Sequence, residues 1–321
     1  MRQQPELKPL FLERMNKLFE DEEDFQSFLK ISKEEPPVSI RCNTLKISPE
    51  KLKERLENRG WKIKQPFENY PEVMIIENEL GPGELGRSLE HLLGYYYVQE
   101  ISSMLPVFAL KPKPNEIVLD LCASPGSKTT QMAAMMKNTG TIVANEVSLG
   151  RVKILASNTE RCGATNIIIS KKEGTALCNK LKEQDFKFDK ILIDAPCSGE
   201  GTLRTSPKTA IIWNINTVKK LSKIQKHLLE SAISLLKVNG EIVYSTCTHS
   251  PEENEEVVNY ILEKFKGEIV IEKALLPVKC RPGIISWKED NYTKDVQKSC
   301  RIYPQDNNTE GFFVAKFRRV K

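Results

Sequence analysis

From residue 117 onward the sequence predicts an α/β fold built on a mostly parallel seven-stranded sheet, with a smaller α+β unit before it. Short apolar runs rich in Val, Ile and Leu alternate there with helical stretches. A strand with no polar face is one buried on both sides, as in a parallel sheet covered by helices. The predicted strands are 117–121, 141–145, 166–170, 190–194, 240–245, 268–271 and 312–317. Helices are expected near 128–137, 149–162, 176–184, 218–237 and 252–265.

The segments before residue 117 follow from spacing and punctuation. Leu10, Phe11, Met15, Leu18 and Phe19, then Phe25, Phe28, Leu29 and Ile31, recur at helical intervals. They predict two short helices. The acidic run 20–24 between them reads as a solvated turn or helix start. Pro36-Pro37 ends this part. Residues 38–43 read as a strand. Ser48 as a cap, Pro49 at the first helical position, and Leu52 and Leu56 one turn apart predict a helix ending at Gly60. Strands follow at 61–63 and 73–76, completing a β-α-β-β unit. The expected division is a helical segment 1–35, a small α+β subdomain 36–90, and a larger α/β domain 91–321.

The 321 residues carry 48 Lys and Arg against 43 Asp and Glu, a net charge of +5. The first 35 hold 6 basic and 9 acidic residues, net −3, which leaves +8 for the remainder. No apolar run reaches the roughly 18 residues of a membrane span, and the first residues lack the apolar core of a signal peptide. A cytoplasmic protein, monomeric by default, is expected. None of the eight cysteines forms a CxxC pair and the three histidines are scattered, so no metal site is expected. In a reducing compartment each cysteine is first a small buried hydrophobe.

Ligands of such sheets bind at the carboxyl ends of strands. The first strand runs into Cys122-Ala123-Ser124-Pro125-Gly126-Ser127-Lys128. Small residues at a helix N-terminus let backbone N–H groups approach a ligand. Glu146 ends the second strand 20 residues beyond Gly126, the spacing of an acid that binds a ribose diol. Cys197, in Asp194-Ala195-Pro196-Cys197-Ser198-Gly199, and Cys247, in Ser245-Thr246-Cys247-Thr248, both fall at strand ends.

These motifs, in this order, resemble the Sun/Nop family of RNA cytosine-C5 methyltransferases, and its archaeal-type transfer-RNA branch most. Arg41-Cys42-Asn43-Thr44, Gly94-Tyr95-Tyr96-Tyr97-Val98-Gln99-Glu100 and Gly311-Phe312-Phe313-Val314-Ala315-Lys316 resemble further family segments. The resemblance implies a Rossmann-like S-adenosylmethionine-dependent methyltransferase domain behind an RRM-like N-terminal subdomain. It implies S-adenosylmethionine held by residues 122–128, by Glu146 at the ribose, and by Arg151, Glu173 and Asp194. Glu173 stands where the family has Asp. Cys247 is implied as nucleophile and Cys197 as the thiol assisting release. Asp194 is implied at the base edge, with Lys128 as a nearby cation. Arg41, Asn43 and Arg204 are the implied RNA contacts. A thiolate adding to C6 makes C5 an enamine carbon able to attack a methyl group, on a base that is single-stranded or extruded. The expected partner is transfer RNA, with ribosomal RNA as the alternative. A catalytically silent RNA-binding assembly factor on the same fold is the reading from another class. No added RNA-binding domain is expected before Pro36 or after Lys321.

Overall fold

The computed structural model describes residues 7–19 and 21–321. Residues 1–6, and Glu20 of the acidic run, lie outside them. The chain gathers into two compact units. One contains Pro37–Asp194 and Ser231–Ile242; the other contains Ala195–Glu230, Val243–Lys321 and the described residues before Pro37.

The first unit opens with an antiparallel sheet in the order Ile63–Lys64, Val73–Ile76, Val38–Cys42, Tyr96–Val98. The helix Pro49–Glu57 begins as expected, with Ser48 accepting a hydrogen bond from the Lys51 N–H. Its Leu52 and Leu56 meet Ile40, Trp61, Met74 and Tyr96 in a core of their own. The fourth strand, Tyr96–Val98, lies beyond the four elements expected.

The same unit carries the parallel strands. Their order is Phe188–Asp194, Ile117–Asp120, Thr141–Asn145, Ile167–Ser170, and every adjacent pair is parallel. The chain thus leaves Ile117–Asp120 to one side and later returns to its other side. Sheets of this kind bind ligands at such a reversal, and the predicted ligand loop begins there, at the carboxyl end of Ile117–Asp120.

In the second unit the helices Pro9–Asn16 and Glu22–Ile31 pack Phe11, Met15, Phe25 and Phe28 against Trp213 and Tyr303. The acidic run is a helix start: Asp21 caps through the Asp24 N–H, and Glu22, Glu23 and Asp24 form the first turn, where the helix dipole favours negative charge. Antiparallel strands pair Ile269–Glu272 and Cys300–Ile302 with Phe312–Arg319. All seven expected strands are present among the described residues, and Arg281–Pro282 and Cys300–Ile302 are two that were not expected. Leu236–Thr246 starts four residues before the expected strand, because the preceding helix stops at Ile233.

Two expectations about the cysteines need correction here. Cys280 and Cys300 form a disulfide and are not separate buried hydrophobes. Arg281 pairs with Cys300's neighbour Arg301 across the two strands, which brings the adjoining sulfurs together. No described helix is long and apolar enough to cross a membrane.

Asp120, last residue of the central parallel strand, is 1% exposed. Thr129 Oγ1 donates to its Oδ2 at 2.7 Å, while Oδ1 has no hydrogen-bond partner. Burial pushes its carboxyl up to about 7, opposed by the Thr129 bond and assisted by the charge of Asp194. The folded state therefore keeps this proton after the unfolded state has lost it. The resulting destabilisation sets in above pH 3.8 and is complete above about pH 7. Urea melts of Asp120→Asn should gain on the native chain at pH 8 relative to pH 4.5. An equal gap at both pH values would contradict the assignment.

Candidate active site

The cofactor-type loop comes first because the sheet fixes it. Ala123 N–H donates to Asn145 O at 2.9 Å, tying the loop to the next strand. Gly126 has φ +102°, and a Cβ there would stand 3.0 Å from Leu155 Cδ1, so only glycine turns the chain without strain. It caps the helix Ser127–Met135 with no side chain, leaving the first-turn N–H groups without a side-chain acceptor. The Ser124-Pro125 bond is cis.

Around this loop the structure assembles three of the predicted residues. Glu146 is 3% exposed, accepts the Ser148 N–H at 2.8 Å, and pairs with Arg151 at 3.3 Å. Arg151 in turn donates to Ser124 O at 2.8 Å, and Ser124 Oγ donates to Arg151 O at 3.0 Å. Carboxylate, guanidinium and loop are thus one connected set. Burial raises the Cys122 thiol pKa, as do the charges of Asp120, Asp194 and Glu146, so Cys122 stays a neutral wall. Glu173 is placed differently. Its carboxylate caps its own helix, taking the Thr175 and Ala176 N–H groups at 3.1 and 2.8 Å.

Lys128 points back from the helix start to Asp194. Its Nζ donates to Asp194 Oδ2 at 2.7 Å and to Ser103 Oγ at 2.8 Å. Lys128 is 7% exposed, so the ion pair is poorly screened and fixes both groups. Ser103 was not legible in the sequence, since a serine inside an apolar helical run carries no signal of its own.

Asp194 ends its strand, and three residues later comes Cys197. In the second unit Cys197 Sγ lies 3.1 Å from Cys247 Sγ, and the Cys247 N–H donates to Cys197 Sγ at 3.3 Å. The hydrogen bond with Cys247 raises the Cys197 thiol well above its ordinary value, and burial adds to this. Backbone contact holds the segments together: the Gly201 N–H donates to Cys247 O at 2.9 Å. A Cβ at Gly201 would meet Gly311 O at 2.2 Å, so that approach requires glycine.

Four side chains around the thiols were not anticipated. Glu200 and Glu253 are 1% and 0% exposed. Ser198 donates to Glu253 through its N–H at 3.0 Å and its hydroxyl at 2.5 Å, and Gln225 Nε2 donates at 2.8 Å. Burial raises the Glu253 carboxyl to about 7, against the opposing Ser198 bond. Neither glutamate carried a signal of its own in the sequence; only nearness to the two cysteine motifs could have flagged them.

The three expected RNA contacts are corrected. Arg41 is 2% exposed and donates to Gln99 Oε1, Thr130 Oγ1 and Ser127 O. Asn43 donates to Gly94 O and Cys162 O. Arg204 donates to Glu34 O, Glu35 O, Thr309 O and Asn308 Oδ1. All three are buried and spend their donors on the protein, which suits cross-links between segments rather than phosphate contacts.

Comparison with known proteins places this arrangement. Residues 107–318 match the family model of the 16S rRNA methyltransferase RsmB/F, and residues 7–101 match the N-terminal domain of the 16S rRNA methyltransferase RsmF. The chain is 40% identical to the tRNA (cytosine(49)-C(5))-methyltransferase of Pyrococcus abyssi, over 97% of this chain and 96% of that protein. It is 39% identical to the ribosomal RNA small subunit methyltransferase F of Vibrio campbellii, over 97% of this chain but 63% of that protein. Among solved structures, a methyltransferase homolog from Pyrococcus horikoshii superposes with a TM-score of 0.83 at 33% identity, covering 97% of this chain and 95% of that one. NSun6 from the same organism, solved with SFG, gives 0.81 at 25% identity over 98% of each chain. The connected cofactor-type loop and the paired strand-end thiols therefore belong to a Rossmann-like methyltransferase, and the chain is a member of the RsmB/F (Sun/Nop) family of RNA cytosine-C5 methyltransferases.

Proposed function

We propose that this enzyme methylates C5 of a cytosine in transfer RNA through a covalent bond between Cys247 Sγ and C6 of the base. The observation that carries the reading is the pair of thiols 3.1 Å apart at two strand ends. One reactive sulfur suffices to activate C5; a second beside it suits a reaction that must also undo the bond it makes.

S-adenosylmethionine is the cofactor of this family and supplies the electrophilic methyl group. The residues fit it. The uncapped helix start at Gly126 suits its carboxylate, Glu146 its ribose diol, and the orphaned Asp120 Oδ1 marks a buried polar position beneath the loop. Cys122, Ala123, Ser124, Pro125, Ser127 and Lys128 would line it, with Arg151 holding Glu146 in place.

In this reading Asp194 takes the N3/N4 edge of the cytosine, oriented by Lys128. Cys247, having given its proton to solvent, attacks C6 as the thiolate, and C5 then takes the methyl group. The C5 proton then leaves and the C6–S bond breaks, returning the electron pair to Cys247. Cys197 holds its own proton while Cys247 is beside it as a free thiol. Once Cys247 is bonded to carbon, the hydrogen bond that most raises Cys197 changes, and Cys197 can then serve as the base for release.

Support for transfer RNA comes from the Pyrococcus abyssi relative. The RsmF relatives support ribosomal RNA as the second reading. We place the enzyme in the cytoplasm, acting as a monomer.

With labelled S-adenosylmethionine and unmodified transfer RNA, Cys247→Ala should lower methyl transfer by about a thousandfold or more. Cys197→Ala should leave a protein–RNA adduct on a denaturing gel. Retained transfer in the first variant, or no adduct in the second, would overturn the thiol roles. Transfer to ribosomal RNA alone would select the second reading. Calorimetry on Glu146→Ala should give roughly tenfold weaker cofactor binding, the cost of about one charged hydrogen bond; unchanged affinity would remove the ribose assignment.

A further inference from the structure

The two thiol segments are bound to each other by their own carboxylates. Glu200 lies three residues beyond Cys197 and takes donors from the Cys247 side. Thr248 Oγ1 reaches its Oε2 at 3.0 Å, the His249 N–H at 3.2 Å, and Ser250 Oγ its Oε1 at 2.6 Å. Glu253 lies six residues beyond Cys247 and takes donors from the Cys197 side, the N–H and hydroxyl of Ser198. Ser198 Oγ and Thr248 Oγ1 meet midway at 2.8 Å.

We propose that Glu200 and Glu253 are reciprocal positioning residues: Glu253 sets the release thiol Cys197, and Glu200 sets the nucleophile Cys247. The inference rests on the thiol roles given above. Each carboxylate grips the residue next to a thiol on the opposite segment, so each controls one sulfur more than the other. Buried carboxylates with several donors each are costly to loosen. A displacement of the order of 1 Å in a reacting group lowers rates by about a hundredfold.

Because the two steps use different sulfurs, the variants should separate. In single-turnover reactions on transfer RNA, with Cys247→Ala and Cys197→Ala alongside, Glu253→Ala should slow release and raise the trapped adduct by about tenfold. Glu200→Ala should slow adduct formation by about tenfold instead. Glu253→Gln, which keeps an oxygen for the Ser198 N–H, should restore most of the release. Ser198→Ala, which removes one tie and no charge, should shift the adduct the same way as Glu253→Ala by a smaller factor. It decides the matter if the glutamate variants fail to fold. Equal loss of both steps in the two glutamate variants, or an unshifted adduct in Ser198→Ala, would overturn the proposal. If Cys197→Ala accumulates adduct and Glu253→Ala does not, the clasp alone fails. If Cys197→Ala accumulates none, the thiol roles fail and the clasp with them.

Discussion

Two segments from strands far apart in the chain carry the paired thiols, and their backbones touch. Cys197 and Cys247 are 50 residues apart in sequence and 3.1 Å apart in space. The contact is made by main chain before any side chain enters. The Gly201 N–H reaches Cys247 O, and the Gly311 N–H reaches Gly201 O, both at 2.9 Å. No room remains for a Cβ at Gly201. With the backbones this close, the polar groups between them are shut from water and must satisfy one another. That requirement accounts for Glu200, Glu253, Ser198, Thr248 and Gln225 together.

The same economy runs through the second unit. Residues 252–256, at the start of an expected helix, carry four glutamates. Three of the four are buried. Arg14 holds Glu252 at 2.6 Å and Arg301 holds Glu255 at 2.6 Å, with the Arg301 side chain 3% exposed. Removing one partner of such a pair strands a charge and costs about 3–5 kcal/mol. The N-terminal helix is thereby tied to the segment that follows Cys247, which gives Pro9–Asn16 a role in supporting the thiol loop.

The sequence was legible where local pattern and chemistry coincide. Strand-end placement marked Cys197 and Cys247, and the strand–loop–helix junction marked residues 122–128. The interval from Gly126 marked Glu146. Less legible was the direction in which polar side chains on the resembling motifs point. Arg41, Asn43 and Arg204 were read outward, toward RNA, because arginine and asparagine on a motif suggest a ligand. Their donors instead close backbone carbonyls brought near by folding, a fact that depends on partners up to 170 residues away. The Cys280–Cys300 bond was invisible for a similar reason: Cys280 immediately precedes one strand and Cys300 begins the antiparallel strand beside it, and no motif records that register. Glu173 was matched by position, but its carboxylate serves the helix it begins.

The central claim is a division of labour between the two sulfurs, with Cys247 as the atom that bonds to the base. Transfer RNA carrying 5-fluorocytidine at the target position cannot lose the C5 substituent, so the adduct should persist after methyl transfer. Digesting that complex and locating the nucleotide by mass spectrometry tests the claim directly. The modification is expected on Cys247, with Cys197 unmodified. A nucleotide on Cys197, or the absence of any covalent product after methyl transfer, would contradict it.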